Sequence, residues 1–145
     1  MGLFGKFKKK NIVDSNDTIQ QCISCGIKVF NHLEMQNNVM HSEEERQIAA
    51  SFIFGVINAF AIENKMTPPQ VHAVTLKILI SNFFYSAEQA ASFAQILIDA
   101  TKQGRSPPMF YIIHKGIDGY YQYKSDELEQ LKSNYDEVLR KSTSS

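Results

Sequence analysis

The stretch SEEERQIAASFIFGVINAFAIEN, residues 42–64, carries the signals that decide the fold. Ser42 and Glu45 form a capping box, in which the hydroxyl accepts from the amide of residue 45 and the carboxylate reaches back to the amide of residue 42. The three glutamates at the start also suit the positive end of a helix dipole. Apolar side chains then cover most of the helix circumference, which is typical of a buried helix. We therefore predict a central helix over residues 43–64.

The apolar part of this helix is too short to span a membrane. Residues 48–62 number fifteen, and a helix of that length measures roughly 22 Å against a hydrocarbon core of about 30 Å. Gly55 and Ala59 lie four positions apart, so their small side chains share one face and would let another helix approach closely. Both features favour the core helix of a bundle.

Five further helices are predicted from start signals and from apolar residues spaced three and four apart. The first runs from a cap at Asp14 or Ser15 to about Gln36, and Gly26 within it indicates a close contact. A later helix, which begins after Ser86, would end at Gly104 in a left-handed conformation. The other predicted starts are Thr67 before Pro68, a capping box from Ser86 to Gln89, Ser106 before Pro107 and Pro108, and Ser125 to Glu127.

Residues 109–121 admit two interpretations. Phe110 to Ile113 is rich in residues that favour strands, and Gly116 and Gly119 weaken a helix. The preceding pair of prolines is a helix start signal, and it favours a helix here. No stretch of strict apolar–polar alternation is long enough to form a sheet.

The predicted fold is all-α, a single domain of about six helices packed around the central apolar helix. We divide the chain into a basic N-terminal arm (residues 1–10), the helical domain (residues 11–141) and a polar tail (residues 142–145). A length of 145 residues is common for one domain and allows one sizeable hydrophobic core.

The formal net charge of +0 combines two unlike parts. All 15 acidic residues follow the arm, so the body of the protein is mildly acidic. An acidic body argues against a nucleic-acid-binding domain, which usually shows clustered Lys and Arg. The arm carries four positive charges, on Lys6, Lys8, Lys9 and Lys10.

Cys22 and Cys25 form a C-x-x-C motif in the middle of a helical pattern. A redox motif would follow a strand and begin a helix, and a zinc site would need a second pair of ligands. We therefore expect two half-buried helix residues, with no metal and no cofactor. The lack of an apolar segment after the arm argues against a secretory signal, and the protein is expected to be cytoplasmic.

His114 and Asp118 are the candidates for catalysis. They lie four positions apart and would share a helix face, where an Asp can orient a His to act as a base. No motif ties a serine or cysteine nucleophile to the pair, so a surface hydrogen bond is the favoured interpretation. We predict that the protein is not an enzyme, with an enzyme centred on this pair as a minor alternative.

The segment HKGIDGYYQY, residues 114–123, is the most distinctive part of the chain. Tyrosines provide large contact areas and are enriched at the energetic centres of protein interfaces. Tyr120 would equally well fill the core, with the glycines permitting a tight turn or a close helix contact. We expect at least one tyrosine in the core and at least one available to a partner.

Three features together resemble a known group of proteins. They are the apolar helix centred on Gly55, the sequence TPPQVH at residues 67–72 and the sequence IHKGIDGY at residues 113–120. The chain resembles, over about residues 40–125, one of the small all-helical immunity-protein families of bacterial polymorphic toxin systems. The resemblance implies a protein that binds a cognate toxin and blocks its active site or the access to it.

The resemblance carries over no binding residues, so these are predicted from the chain itself. The aromatic segment supplies anchors, and acidic helix starts would meet a basic toxin such as a nuclease. The predicted partner-binding residues are His114, Asp118, Tyr120, Tyr121, Tyr123, Glu43 and Glu44.

The alternative function is that of a peripheral adaptor or scaffold that contacts a membrane surface through the arm. The four arm lysines would meet anionic lipids beside Leu3, Phe4 and Phe7. Three large apolar side chains in ten residues bind a membrane weakly, so the toxin-binding function is preferred.

Overall fold

The protein is a bundle of α-helices. The computed structural model describes residues 2–37, 40–102 and 106–143, with side chains for residues 16–35, 40–102 and 106–143. These ranges contain six helices and no strand, so the predicted all-α fold is confirmed and the strand interpretation of residues 110–113 is wrong. The helices are α1 (Gly2–Asn37), α2 (Glu43–Glu63), α3 (Pro68–Ser81), α4 (Ala87–Ala100), α5 (Pro107–Lys124) and α6 (Leu128–Thr143).

The predicted caps at the starts of α2, α3 and α4 are formed. The Ser42 hydroxyl accepts from the backbone amide three residues later at 3.1 Å. This is one of the two hydrogen bonds of the predicted capping box. The Thr67 hydroxyl accepts from the Gln70 amide at 3.4 Å, and the Gln70 side chain accepts from the Thr67 amide at 2.8 Å. Ser86 and Gln89 make the same reciprocal pair at 3.1 Å in both directions. Local sequence therefore sets these three helix starts.

The start of α1 differs from the prediction. The helix begins at Gly2, so a cap at Asp14 or Ser15 is wrong. No proline interrupts the preceding residues, and a helix that is already nucleated gains one hydrogen bond for each residue added. The side chains of the lysine-rich arm lie outside the described residues, so its separate role stays a prediction.

The start of α5 also differs in its capping. Ser106 occupies the N-cap position, but its side chain makes no capping hydrogen bond. A cap accepts from the amide of the second or third helical residue, and here the second residue is Pro108, which has no N–H. The helix start is therefore set by the two prolines rather than by the serine hydroxyl. The stop predicted at Gly104 lies outside the described residues.

The centre of the bundle is α2, which packs against α1, α3, α5 and α6. Its side chains are buried on all sides between Ile48 and Ala61, apart from the half-buried Asn58 and Phe60. The expectation that the apolar part of α2 is too short to span a membrane is wrong, because α2, alone among the described helices, is long and apolar enough to do so. Its burial, and not its length, marks it as a core helix, since 67% of that apolar stretch is buried by the rest of the bundle. It is the core helix that the sequence predicts.

The backbones of α2 and α5 touch where Gly55 faces Gly116. A Cβ atom at Gly55 would overlap the carbonyl oxygen of Ile113 and would lie 2.8 Å from the Gly116 Cα. A Cβ atom at Gly116 would overlap the carbonyl oxygen of Phe52. Only hydrogen fits at either position, so the close helix approach predicted at Gly55 is confirmed.

Buried polar and aromatic groups fix α6 against this pair of helices. The Asn134 amide donates to the carbonyl oxygen of Lys115 at 2.9 Å and to the Gln122 side chain at 3.0 Å. The neighbouring Tyr135 is fully buried, and its ring meets that of Phe52 edge-on with the centroids 5.2 Å apart. These contacts set the register of α6 on α5.

On the other side of α2, α1 packs against α2 and α3. A Cβ atom at Gly26 would lie 2.7 Å from Ile78 Cδ1, so the close contact expected at Gly26 is present. Further along α1, the rings of Phe30 and Phe83 lie 4.7 Å apart between their centroids. The residue that follows α3 by two positions is thereby anchored in the core.

The two glycine contacts predict opposite tolerance to alanine. At Gly55 the obstacle is the backbone of α5, so Gly55→Ala should lower the free energy of unfolding by more than about 3 kcal/mol. At Gly26 the obstacle is the flexible end of Ile78, and alanine favours a helix by roughly 1 kcal/mol over glycine. Gly26→Ala should therefore change the stability by no more than about 1 kcal/mol.

Urea unfolding followed by far-UV circular dichroism measures both free energies. Equal losses in the two variants would show that the α2–α5 contact is not specially sensitive to side-chain volume.

Candidate partner-binding surface

Three of the predicted partner-binding residues share one exposed face of α5. His114, Asp118 and Tyr121 occupy positions i, i+4 and i+7, which align on one side of a helix. The ring of Phe110 precedes them, with its centroid 4.3 Å from that of His114. These four residues are the α5 outer face. The opposite side of the helix, which includes Gly116, is buried against α2.

The contacts of the α5 outer face do not assemble a catalytic pair. In the described part of the chain, the His114 ring lies against Phe110, and no hydrogen bond joins it to Asp118. The surface hydrogen bond predicted between the two residues is therefore not formed. Both side chains are exposed, so their polar atoms are accessible to a partner.

The tyrosines of this segment divide between core and surface. Tyr120 is buried, and its hydroxyl donates to Glu63 Oε1 at 2.8 Å. Tyr121 is 44% exposed, whereas Tyr123 is half-buried against the core. Of the three predicted contact tyrosines, Tyr121 is the one that the fold leaves available, and Tyr120 is primarily a packing residue.

An ion pair joins the C-terminal ends of α2 and α5 beside Tyr121. Lys124 Nζ lies 2.7 Å from Glu63 Oε1, which also accepts from the Tyr120 hydroxyl. Hydrogen bonding to Lys124, and then to the tyrosines, lowers the pKa of Glu63 below its usual value. Burial, and then the hydrogen bond to Glu63, raises the pKa of Tyr120. The network holds the last turn of α5 in place.

The remaining two predicted residues lie at the start of α2, on a different part of the surface. The Glu43 carboxylate pairs with the Arg46 guanidinium at 2.6 Å and also accepts a hydrogen bond from the Gln47 side-chain amide at 3.0 Å. Glu44 lines an open groove of about 640 Å³ between α2, α5 and α6, together with Met109 and Tyr111. The predicted site is thus split between the α5 outer face and the first turn of α2.

Arg46 also holds the connection between α3 and α4. The sequence pattern does not indicate this contact. Its guanidinium donates to the Phe83 carbonyl oxygen at 3.0 Å and lies 3.9 Å from the centre of the Tyr85 ring. Phe83 and Tyr85 are buried, whereas Phe84 between them is 74% exposed. Phe84 also has a positive φ of 62°, which is rare for a bulky side chain.

The sequence contains a signal for this surface. Phe83, Phe84 and Tyr85 are consecutive aromatics in the short connection between two helices. Three neighbouring side chains in such a connection do not all point into the same core, so at least one aromatic ring is expected outside. Which ring is exposed depends on Arg46, 37 residues away from Phe83, and the local pattern does not reveal that partner.

The two cysteines lie on the side of α1 that faces the core. Cys22 is 1% exposed, and burial raises its thiol pKa to about 12. Cys25 is half-buried, and burial raises its pKa as well. A reactive cysteine requires a lowered pKa, so these thiols have the properties of packing residues, as expected.

The fold and its surfaces define a class of protein. A rigid helical scaffold displays aromatic side chains, and the described residues contain no group of His, Cys, Asp and Glu that could hold a metal ion. Exposed aromatics on a rigid frame are the anchors of protein–protein contacts. Together they define a small all-helical protein that displays aromatic side chains on its surface.

The chain belongs to the immunity protein 48 family, whose profile matches residues 10–142. The resemblance to a helical immunity-protein family is therefore confirmed, over a longer range than residues 40–125. The match begins at Lys10, so it leaves out nearly all of the basic arm. No curated protein and no solved structure matches the chain.

The raised thiol pKa values predict slow alkylation of the folded protein. At about pH 8 a free cysteine is partly ionised, whereas the thiols of Cys22 and Cys25 should stay protonated. Iodoacetamide should label the native chain much more slowly than glutathione, and labelling should become fast in guanidinium chloride. Mass spectrometry follows the reaction. Native labelling at the rate of glutathione would contradict the buried placement.

The Glu63 network predicts a pH-dependent stability. Because the folded-state pKa of Glu63 is lowered, ionised Glu63 stabilises the fold above its unfolded pKa, near 4.5, and this contribution is lost as the pH falls through the folded value. Wild type should therefore have a higher Tm than Glu63→Gln at neutral pH. The difference should shrink on acidification below about pH 4.5.

Thermal unfolding of the two proteins between neutral and acid pH measures this difference. Glu129→Gln, at an exposed position in the first turn of α6, is the matched control; it removes a carboxylate that stabilises only through the helix dipole, so its Tm difference from wild type should be smaller than that of Glu63→Gln at neutral pH. A Tm difference that is constant with pH would rule out the ion pair as its source.

Proposed function

We propose that the protein binds a cognate bacterial toxin in the cytoplasm and neutralises it by protein–protein interaction. The observation that carries the proposal is the family match over residues 10–142, which includes most of α1 and the other five helices of the described residues almost completely, rather than one motif. In this function the protein acts by occupying a surface of the toxin and not by catalysis.

The structure supports this function through its rigidity. The backbone contact of Gly55 with Gly116 and the ion pair of Glu63 with Lys124 fix both the rotation and the last turn of α5. The α5 outer face is therefore presented without the loss of conformational freedom that a mobile segment would incur on binding. A preorganised surface of this kind suits a tight inhibitor.

Charge supports a basic toxin. The acidic residues follow the arm, and Glu43, Glu44 and Asp118 are exposed on the two predicted parts of the site. Complementary charge speeds encounter with a basic partner, such as a nuclease, and disfavours wrong partners. Binding should accordingly associate faster at low salt than at high salt.

Co-expression with the toxin tests the proposal. The first step is to determine whether the neighbouring reading frame encodes a protein with a C-terminal toxin domain. Such a domain should arrest growth of a host cell when produced alone, and co-production of this chain should restore growth. The two purified proteins should form a stable complex in size-exclusion chromatography. Continued growth arrest together with the absence of a complex would refute the function for that toxin.

Tyr121 tests the predicted binding face. Tyr121→Ala removes an exposed ring and should weaken the affinity for the toxin domain about tenfold, whereas Tyr121→Phe keeps the ring and should weaken it by less than about threefold. Isothermal titration calorimetry measures both constants. The pair also separates the ring from the hydroxyl contact with Glu63. Unchanged affinity in both variants would remove the α5 outer face from the interface.

A further inference from the structure

In the connection between α3 and α4, the aromatic side chain of Phe84 is exposed and its backbone has an unfavourable conformation. Phe84 is 74% exposed, so its ring gains little from the core. Its φ of 62° lies in the left-handed region, where a glycine would be more stable. Neither local packing nor backbone preference accounts for a phenylalanine here.

The surrounding residues hold this conformation firmly. Phe83 is fully buried against Phe30, and the Tyr85 amide donates to the Leu79 carbonyl oxygen at 3.2 Å. Arg46 joins the two sides, because it binds the Phe83 carbonyl oxygen and covers the Tyr85 ring. Phe84 is therefore displayed on a fixed base, which reduces the entropy lost when a partner binds it.

The surface beside this ring has a definite chemistry. A shallow groove between α2 and α4 begins at Tyr85, the residue after Phe84, and is also lined by Phe93 and the half-exposed Ile96. Glu43 and Glu88 are among its other lining residues. Arg46, the cation of this groove, is engaged by Glu43 at 2.6 Å. Glu88 has no ion-pair partner among the described residues. The groove therefore offers apolar contact and, in the first turn of α4, a carboxylate without an ion-pair partner.

We infer that Phe84 is the anchor of a protein-binding surface, formed with Ile96 and Glu88, whose partner is a basic protein with an apolar pocket for the ring. The inference rests on the proposed function and deepens it, because it names the anchor and groove through which the toxin is held. The pocket of the toxin receives Phe84, and its Lys or Arg side chains meet Glu88. This surface is separate from the α5 outer face.

The test uses the full chain and the purified toxin domain encoded beside its gene. Phe84→Ala should raise the Kd about 30-fold or more, as expected for loss of an aromatic anchor. Ile62→Ala is the matched control, because Ile62 is 73% exposed and lies at the other end of α2 from Arg46. Its Kd should stay within about threefold of wild type.

A charge variant tests the groove independently of the ring. Glu88→Lys should slow association about tenfold at low salt, whereas Glu129→Lys, an equivalent charge change on α6, should alter the rate by less than about twofold. Equal effects of the two variants would show that the association rate depends only on the net charge of the protein, and would overturn the assignment of Glu88.

Stability tests the backbone strain at Phe84 separately from binding. Phe84→Gly relieves the left-handed backbone, so its Tm should exceed that of Phe84→Ala by about 3 °C, although both variants lose the toxin. A Tm for Phe84→Gly that is no higher than that for Phe84→Ala would overturn the assignment of strain.

The outcomes separate this inference from the proposed function. If wild type does not bind the toxin domain, the proposed function fails and the inference fails with it. If wild type binds and Phe84→Ala binds equally well, the anchor alone is refuted. If light scattering shows a wild-type dimer that Phe84→Ala dissociates, the ring contacts a second copy of this chain, and the assignment to a toxin is overturned.

Discussion

The contact between Gly55 and Gly116 sets the geometry on which the rest of the bundle depends. Since only hydrogen atoms separate the two helices there, α5 has one position and one rotation against α2. That rotation buries Ile113 and Tyr120 and leaves His114 and Tyr121 outside. The exposed face of α5 is therefore determined from inside the core, and α6 in turn packs on the α5 surface that remains.

Charged residues at the two ends of α2 fix the positions of the neighbouring segments. The body of the helix between Gln47 and Ile62 has no charged residue, so its ionised groups are confined to its ends. At the N-terminal end Arg46 holds the α3–α4 connection through a carbonyl oxygen and an aromatic ring. At the C-terminal end Glu63 holds the last turn of α5 through Lys124. One helix thus positions both surfaces that present exposed aromatics.

Structural features that depend on residues close in the chain can be predicted from the sequence, whereas features that depend on distant residues cannot. The caps at Thr67 and Ser86 involve partners three residues away, and the small residue at Gly55 marks a helix contact even without its partner. Helix α1 begins earlier than expected because a nucleated helix extends through residues 2–13, which contain no proline. Phe84 was missed because its exposure is set by Arg46, which lies far from it in the chain.

The perturbed ionisable groups reflect how the helices pack and dock. In an active site, shifted pKa values belong to groups that face a cleft and substrate. Here burial in the core raises the pKa of Cys22 and of Tyr135, and the ion pair that joins two helices lowers the pKa of Glu63. These shifts arise from packing and helix docking. The exposed groups include aromatic rings and carboxylates on a fixed frame, and such groups support the proposed contact with another protein.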